Sequence, residues 1–300
     1  MDDTTTRAED RGTPEAITWE SLGLPLRGWQ LGDPALPPAV FLHGFLDQGR
    51  SFLPCARRLT QRFRVIMPDH RGHGASAHVG QGGYYHFPDY VLDLAALLDH
   101  LGLDEVALIG HSMGASIAAY FAGAFPARVA ALALLDALGP AHQPPSRAPR
   151  AMASWIRDAQ LARRRPEPAM DDLEHVVARL RRSAPGASEE VLRELAGYAA
   201  EPDGEGRLRW RFDPLHRTRA PIPFDEARFA AFLSAVECPT VIVWGEASPF
   251  RVPALEARAR YLRDAVTYTV AGAGHNLHHE RPAELAAVLL GFLVGVWDER

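Results

Sequence analysis

The sequence predicts a doubly wound α/β fold with a mostly parallel sheet and a helical cap inserted between two core strands. Three observations predict it. Short β-branched or aliphatic runs recur along the chain, segments of helical period separate them, and the alternation breaks once, over about residues 139–223.

The apolar runs cover residues 40–42, 64–67, 106–109, 129–135, 240–244 and 265–270, each followed by a glycine-containing turn. Continuous apolar runs of this length indicate strands buried on both faces of a parallel sheet. Residues 90–101 carry the helical signal between two of them, with Val91, Leu94, Leu97, Leu98 and Leu101 on one face and Gly102 as the stop. Strand, helix and strand in this order define the doubly wound architecture. The break is rich in Pro, Arg, Ala and Glu, has helical periodicity over residues 173–180 and 191–195, and shows no strand pattern. The expected organisation is a disordered N-terminal tail over 1–16, a core over 17–139 and 224–300, and a helical cap over 140–223. The basic run at 163–165 reads as a solvated helix face.

Bulk properties exclude several function classes. With 32 Lys plus Arg against 37 Asp plus Glu, the formal net charge is −5, which gives no electrostatic reason to expect nucleic acid. Cys55 and Cys238 are the only cysteines and lack the spacing of a zinc or CxxC redox site, so a reduced cytoplasmic setting is expected. The first sixteen residues hold no apolar run of the kind a secretory signal needs. The longest apolar stretch, 285–297, falls short of the roughly 18 residues of a membrane span and reads as a buried terminal helix. A small-molecule substrate, no membrane partner, and a monomer or homodimer are the corresponding expectations.

The chemistry concentrates at strand ends. Gly110-His111-Ser112-Met113-Gly114 follows the run at 106–109 and precedes a helical stretch at 115–125. This is G-x-S-x-G in the strand–turn–helix setting that makes the serine a nucleophile. A Cβ at either glycine would collide with backbone in so sharp a turn. The helix N-terminus behind Ser112 favours developing negative charge. Two backbone N–H groups are expected to form an oxyanion hole: Met113, after the nucleophile, and Phe45, in the His43-Gly44-Phe45 loop after the first strong strand. His275, in Ala271-Gly272-Ala273-Gly274-His275 past the last strand, is the expected general base. A metal reading of His275, His278 and His279 lacks an accompanying carboxylate or cysteine pattern, so neither metal nor cofactor is expected. His70 and His73 read as loop residues beneath the site edge, and Asp47 and Asp69 as organisers of loops through local hydrogen bonds.

With His43-Gly44-Phe45, Asp69-His70-Arg71-Gly72-His73-Gly74, Gly110 to Gly114, and Gly274-His275 in this order, the chain resembles the α/β-hydrolase superfamily from about Thr18 onward, most of the insertion excepted. Leu46-Asp47, Ser51-Phe52, Tyr84-Tyr85, Leu134-Leu135-Asp136 and the segment from Arg209 to Pro214 resemble its serine-hydrolase-like (kraken-type) branch. The resemblance implies a third member, an acid about three residues past the glycine that follows the strand at 240–244. That position is Ser248, which cannot carry charge. Some members of the superfamily carry the acid after the preceding core strand, which here gives Asp136 and keeps the order Ser112, Asp136, His275. Glu246 is the alternative.

The implied reaction is acyl transfer to water on a small or medium carboxylic ester. Trp155, Leu161, Val176, Val177, Leu180 and Leu195 of the insertion are expected to give the site an apolar lining. A thioester, a lactone or a C–C bond alpha to a ketone fits the same residues. A ligand-binding homologue that has lost catalysis is the alternative from another class, with Ser248 as its chief support. A serine at the elbow argues against dehalogenase and epoxide-hydrolase chemistry, which in this superfamily use an aspartate there.

Overall fold

Strands buried along their whole length have no solvent face, and three of them, over Val106–His111, Val129–Leu135 and Thr240–Gly245, form the middle of the structure. The computed structural model describes residues 12–162, 164 and 168–300. Its strands are β1 (Glu15–Ser21), β2 (Leu24–Leu31), β3 (Pro38–Leu42), β4 (Arg64–Pro68), β5 (Val106–His111), β6 (Val129–Leu135), β7 (Ala200–Pro202), β8 (Leu208–Trp210), β9 (Thr240–Gly245) and β10 (Ala265–Val270). Its helices are α1 (Leu53–Ala56), α2 (Phe87–His100), α3 (Met113–Ala124), α4 (Ala148–Ala162), α5 (Leu173–Ser183), α6 (Glu189–Ala199), α7 (Glu226–Ala235), α8 (Pro253–Glu256), α9 (Leu277–Glu280) and α10 (Pro282–Asp298).

Eight strands make one sheet in the order β1-β2-β4-β3-β5-β6-β9-β10. It is antiparallel across β1, β2 and β4 and parallel from β4 to β10. Period-two alternation splits each central strand between two cores. On β6, Val129, Leu132 and Leu134 face one core, and Ala131, Ala133 and Leu135 face the other. Helices α2, α3 and α7 contribute to the first layer, while α1 and α10 contribute to the second. Helix α10 presents Leu285, Leu289 and Leu293 to the sheet, and among the described residues no helix is long and apolar enough to cross a membrane.

The order reverses at β3: the chain moves to β4 on one side, then to β5 on the other. Loops leaving β3 and β5 in opposite directions open a crevice at the carboxyl ends of those strands, the place where open α/β sheets put their ligands.

Two parts of the sheet architecture depart from the sequence reading. The β1–β2 hairpin was not expected, and β1 begins at Glu15, inside the stretch assigned to a tail; residues 1–11 of that stretch lie outside the described residues. Its burial alternates, so it lacks the continuous apolar run that marks the central strands. The insertion also holds strands, the two-stranded β7–β8 hairpin, which at three residues per strand and with charged side chains carries no detectable period. Residues 163 and 165 of the basic run lie outside the described residues.

The insertion has its own small core, built from Met170, Val176, Val177, Ala184, Ala187, Leu192, Ala196 and Ala200, with Leu180 packed against it. Val176 and Val177 are therefore buried in the cap's own core, with almost no surface left to line the site. Several polar contacts among the described residues tether this unit to the main body. Arg57 pairs with Glu194 at 2.7 Å, the Asn276 amide donates to the Ser183 carbonyl at 2.7 Å, and the Tyr85 hydroxyl donates to Asp213 at 2.8 Å.

Candidate active site

Ser112 occupies the turn between β5 and α3 with φ of 52° and ψ of −112°, a conformation disfavoured for any residue with a Cβ. The surroundings hold it there. The Ser112 N–H donates to the Leu135 carbonyl at 3.0 Å, and α3 starts at the next residue. A Cβ on Gly110 would lie 2.3 Å from the Gly114 carbonyl oxygen, and one on Gly114 would lie 2.0 Å from that of Leu42. Glycine is therefore required at both positions for the chain to close the turn.

Facing Ser112 are His275 and Asp136. The His275 Nε2 lies 3.0 Å from Ser112 Oγ, and its Nδ1 lies 2.6 Å from Asp136 Oδ2. A carboxylate can only accept, so Nδ1 carries the proton and Nε2 is left to accept from the Ser112 hydroxyl. The His111 Nε2–H donates to the His275 carbonyl at 2.8 Å and fixes the backbone of that loop. The ring of Phe250, whose centroid lies 4.3 Å from that of His275, packs against the imidazole.

Asp136 is fully buried at the end of β6, with φ of 53°. Its Oδ1 accepts the Gly245 N–H at 2.8 Å, and its Oδ2 accepts both His275 Nδ1–H and the Ser248 hydroxyl. Three donors on one carboxylate match the charge-assisted bonding of an ionised acid. Ser248, at the position where the resemblance implies an acid, is itself buried and donates to Asp136. Nothing in the sequence pattern assigned it this contact. Glu246 turns away: its side chain accepts the Gly272 N–H at 2.8 Å, so the alternative acid does not meet His275.

The loop after β3 is fastened by buried imidazoles. His43 donates from Nδ1 to the Gly44 carbonyl at 2.8 Å and accepts the His70 N–H at Nε2 at 2.9 Å. His73 Nε2 accepts the Leu46 N–H at 3.3 Å. Gly44 passes so close to the elbow that a Cβ there would lie 3.3 Å from the Ser112 Cβ. Phe45 follows with its side chain half exposed, and Met113 is the first residue of α3, where N–H groups have no intrahelical acceptor. Asp69 accepts from the N–H groups of Gly49 at 2.6 Å and Ala75 at 2.8 Å, and Asp47 from the Ser51 hydroxyl at 2.8 Å.

Burial sets the protonation of the surrounding histidines. Desolvation, reinforced by neighbouring rings, holds His43, His73 and His111 well below the usual imidazole range and lowers His70 and His216 to about 3. Both cysteines are free and buried, and desolvation pushes each thiol up to about 12, so neither is a nucleophile at neutral pH.

Residues 37–282 match the family model of the alpha/beta hydrolase fold, and the chain belongs to that family. Hydrolysis is the general activity this membership carries. A crystal structure of a hypothetical protein from Pseudomonas aeruginosa PAO1 superposes with a TM-score of 0.85 at 31% identity, over 93% of this chain and 99% of that one. The thioesterase domain from the curacin biosynthetic pathway superposes with a TM-score of 0.81 at 26% identity, over 93% and 100%. A serine hydrolase-like protein of Danio rerio is 35% identical over 38% of this chain; the match spans only 35% of that relative's length.

Proposed function

We propose that this chain is a serine hydrolase that cleaves a small or medium carboxylic ester through an acyl-enzyme on Ser112. The single observation that carries the reading is the continuous hydrogen-bonded chain from Ser112 Oγ through His275 to Asp136. His275 Nε2 takes the hydroxyl proton as Ser112 attacks the carbonyl carbon. The oxyanion that forms is held by the Phe45 and Met113 N–H groups. Asp136 keeps the imidazole in the required tautomer and stabilises the imidazolium. His275 then protonates the leaving alcohol. Water attacks the acyl-enzyme with His275 as base, and the carboxylic acid leaves with Ser112 restored.

The cap over residues 140–223 selects the substrate in this reading. Phe45 and Phe250, each about half exposed beside the reacting groups, favour an apolar acyl or alcohol group. A thioester is the second reading, supported by the likeness to the curacin thioesterase domain. The zebrafish match supports placement in the serine-hydrolase-like branch, and the two free buried cysteines support a cytoplasmic setting.

The test is hydrolysis of p-nitrophenyl esters from acetyl to decanoyl, beside the matching acyl thioesters, with Ser112→Ala as control. Turnover of short and medium esters that vanishes in Ser112→Ala is the expected result. A wild type that leaves every ester at its background rate contradicts it.

A further inference from the structure

Around His111, the residue before the nucleophilic serine, lies a group of side chains that the proposed reaction does not use. Asp47 comes from the loop after β3, His111 from the end of β5, and His278 from α9. One donor atom from each of these three residues lies within 4.8 Å of the other two.

Three features distinguish this group from histidines that merely pack. First, His111 Nδ1 is buried without a hydrogen-bond partner among the described residues, as is Nε2 of the adjoining His279. A buried ring nitrogen left unpaired is unfavourable by about 1–3 kcal/mol unless something else accepts its lone pair. Second, the His111 Nε2–H is already committed to the His275 carbonyl, so Nδ1 presents a lone pair. A ring that donates one N–H to a carbonyl and offers the other nitrogen is the usual arrangement of a metal-binding histidine. Third, Asp47 Oδ2 stands 3.4 Å from His278 Nε2 and 3.8 Å from His279 Nε2, long for hydrogen bonds. A tetrahedral ion with N and O ligands at about 2.0–2.2 Å sets its ligand atoms roughly 3.3–3.6 Å apart.

We propose that Asp47, His111 and His278 form a binding site for a borderline transition-metal ion of the Zn²⁺ class, with His279 or water as the fourth ligand. Two imidazoles and one carboxylate suit Zn²⁺, Co²⁺ or Ni²⁺ better than Mg²⁺ or Ca²⁺. The Asp47 side chain is 20% exposed and supplies the entry path. A bound ion joins the three segments that carry Phe45, Ser112 and His275, and so stabilises the fold by cross-linking them. This inference stands on the ligand geometry and does not require the ester reading.

Co²⁺ is the probe, because four-coordinate Co²⁺ absorbs visible light far more strongly than the hexaaqua ion. The chelator-treated full chain is titrated with Co²⁺, and its melting temperature is recorded with and without one equivalent. The expected result is a visible band that saturates at one equivalent, together with a melting temperature several degrees higher. Asp47→Asn and His278→Gln abolish both effects, and His100→Gln, at an exposed histidine of α2, keeps both. Should His278→Gln fail to fold, Asp47→Asn carries the test. A titration without a saturating band, or a band that survives Asp47→Asn, overturns the proposal. Because neither readout involves catalysis, failure here is distinguishable from failure of the hydrolase reading.

Discussion

Two neighbouring strand ends, β6 and β9, divide a task that the family's usual pattern gives to one. β9 ends at Gly245, and three residues on stands Ser248, a hydroxyl where the resemblance implies a carboxylate. β6 ends at Leu135, and the next residue is the buried Asp136. The strands are paired in parallel, with Leu135 beside Val243, so both ends reach the same edge of the sheet. In the proposed reading the imidazole requires an acid at a point in space, and the end of β6 delivers it. The Ser248 hydroxyl donates to Asp136.

The comparison can be broken by moving the charge. The largest effect is expected from Asp136→Asn, which leaves shape intact but removes the acceptor that selects the His275 tautomer. Ester turnover should fall by about 10⁴ in kcat, measured at saturating substrate. Next comes the exchange Asp136→Ser with Ser248→Asp, which returns the acid to β9. It should recover at least tenfold of that loss in the same assay, and no recovery would mean that the β9 end cannot reach His275. Ser248→Ala tests the supporting hydroxyl alone. A hydrogen bond to a charged group contributes about 1.5–3 kcal/mol, so a loss of about ten- to a hundredfold in kcat with little change in KM is expected. Glu246→Gln should leave kcat within about twofold, because its carboxylate holds Gly272 and not the imidazole.

Stability gives a further, slower-acting contrast. His70 and His216 are buried and titrate near 3 in the folded chain, against about 6.5 when unfolded. Between those values the unfolded state binds more protons, so stability is full above about pH 6.5 and declines as pH falls toward 3. Each ring contributes a decline of about 1.4 kcal/mol per pH unit in that window. Thermal melts at pH 7, 5.5 and 4.5 should show a falling midpoint, and a midpoint independent of pH would contradict the buried-neutral assignment.

What the sequence made legible follows from where side-chain period and chemistry coincide. The run at 129–135 matches β6 from Val129 to Leu135 because a strand buried on both faces is built almost wholly of apolar residues. The elbow was legible because two glycines and a serine have few other uses between a strand and a helix. The β1–β2 hairpin was not, since an edge strand with one wet face reads like surface. Residues expected to line the site, Val176 and Val177, proved to form the cap's own core, because apolarity alone does not say which neighbour a helix face meets. The Ser248 contact lay beyond reach for a different reason. A hydroxyl's role depends on what stands 112 residues away in the chain, and no local pattern records that.

The most direct test of the central account is the rate at which a fluorophosphonate labels Ser112, followed by peptide mass mapping, in wild type and in Asp136→Asn. An activated serine with its acid on β6 predicts stoichiometric labelling at Ser112 in wild type and a rate lower by orders of magnitude in Asp136→Asn. Equal labelling rates in the two proteins would contradict it, and would remove Asp136 from the chemistry.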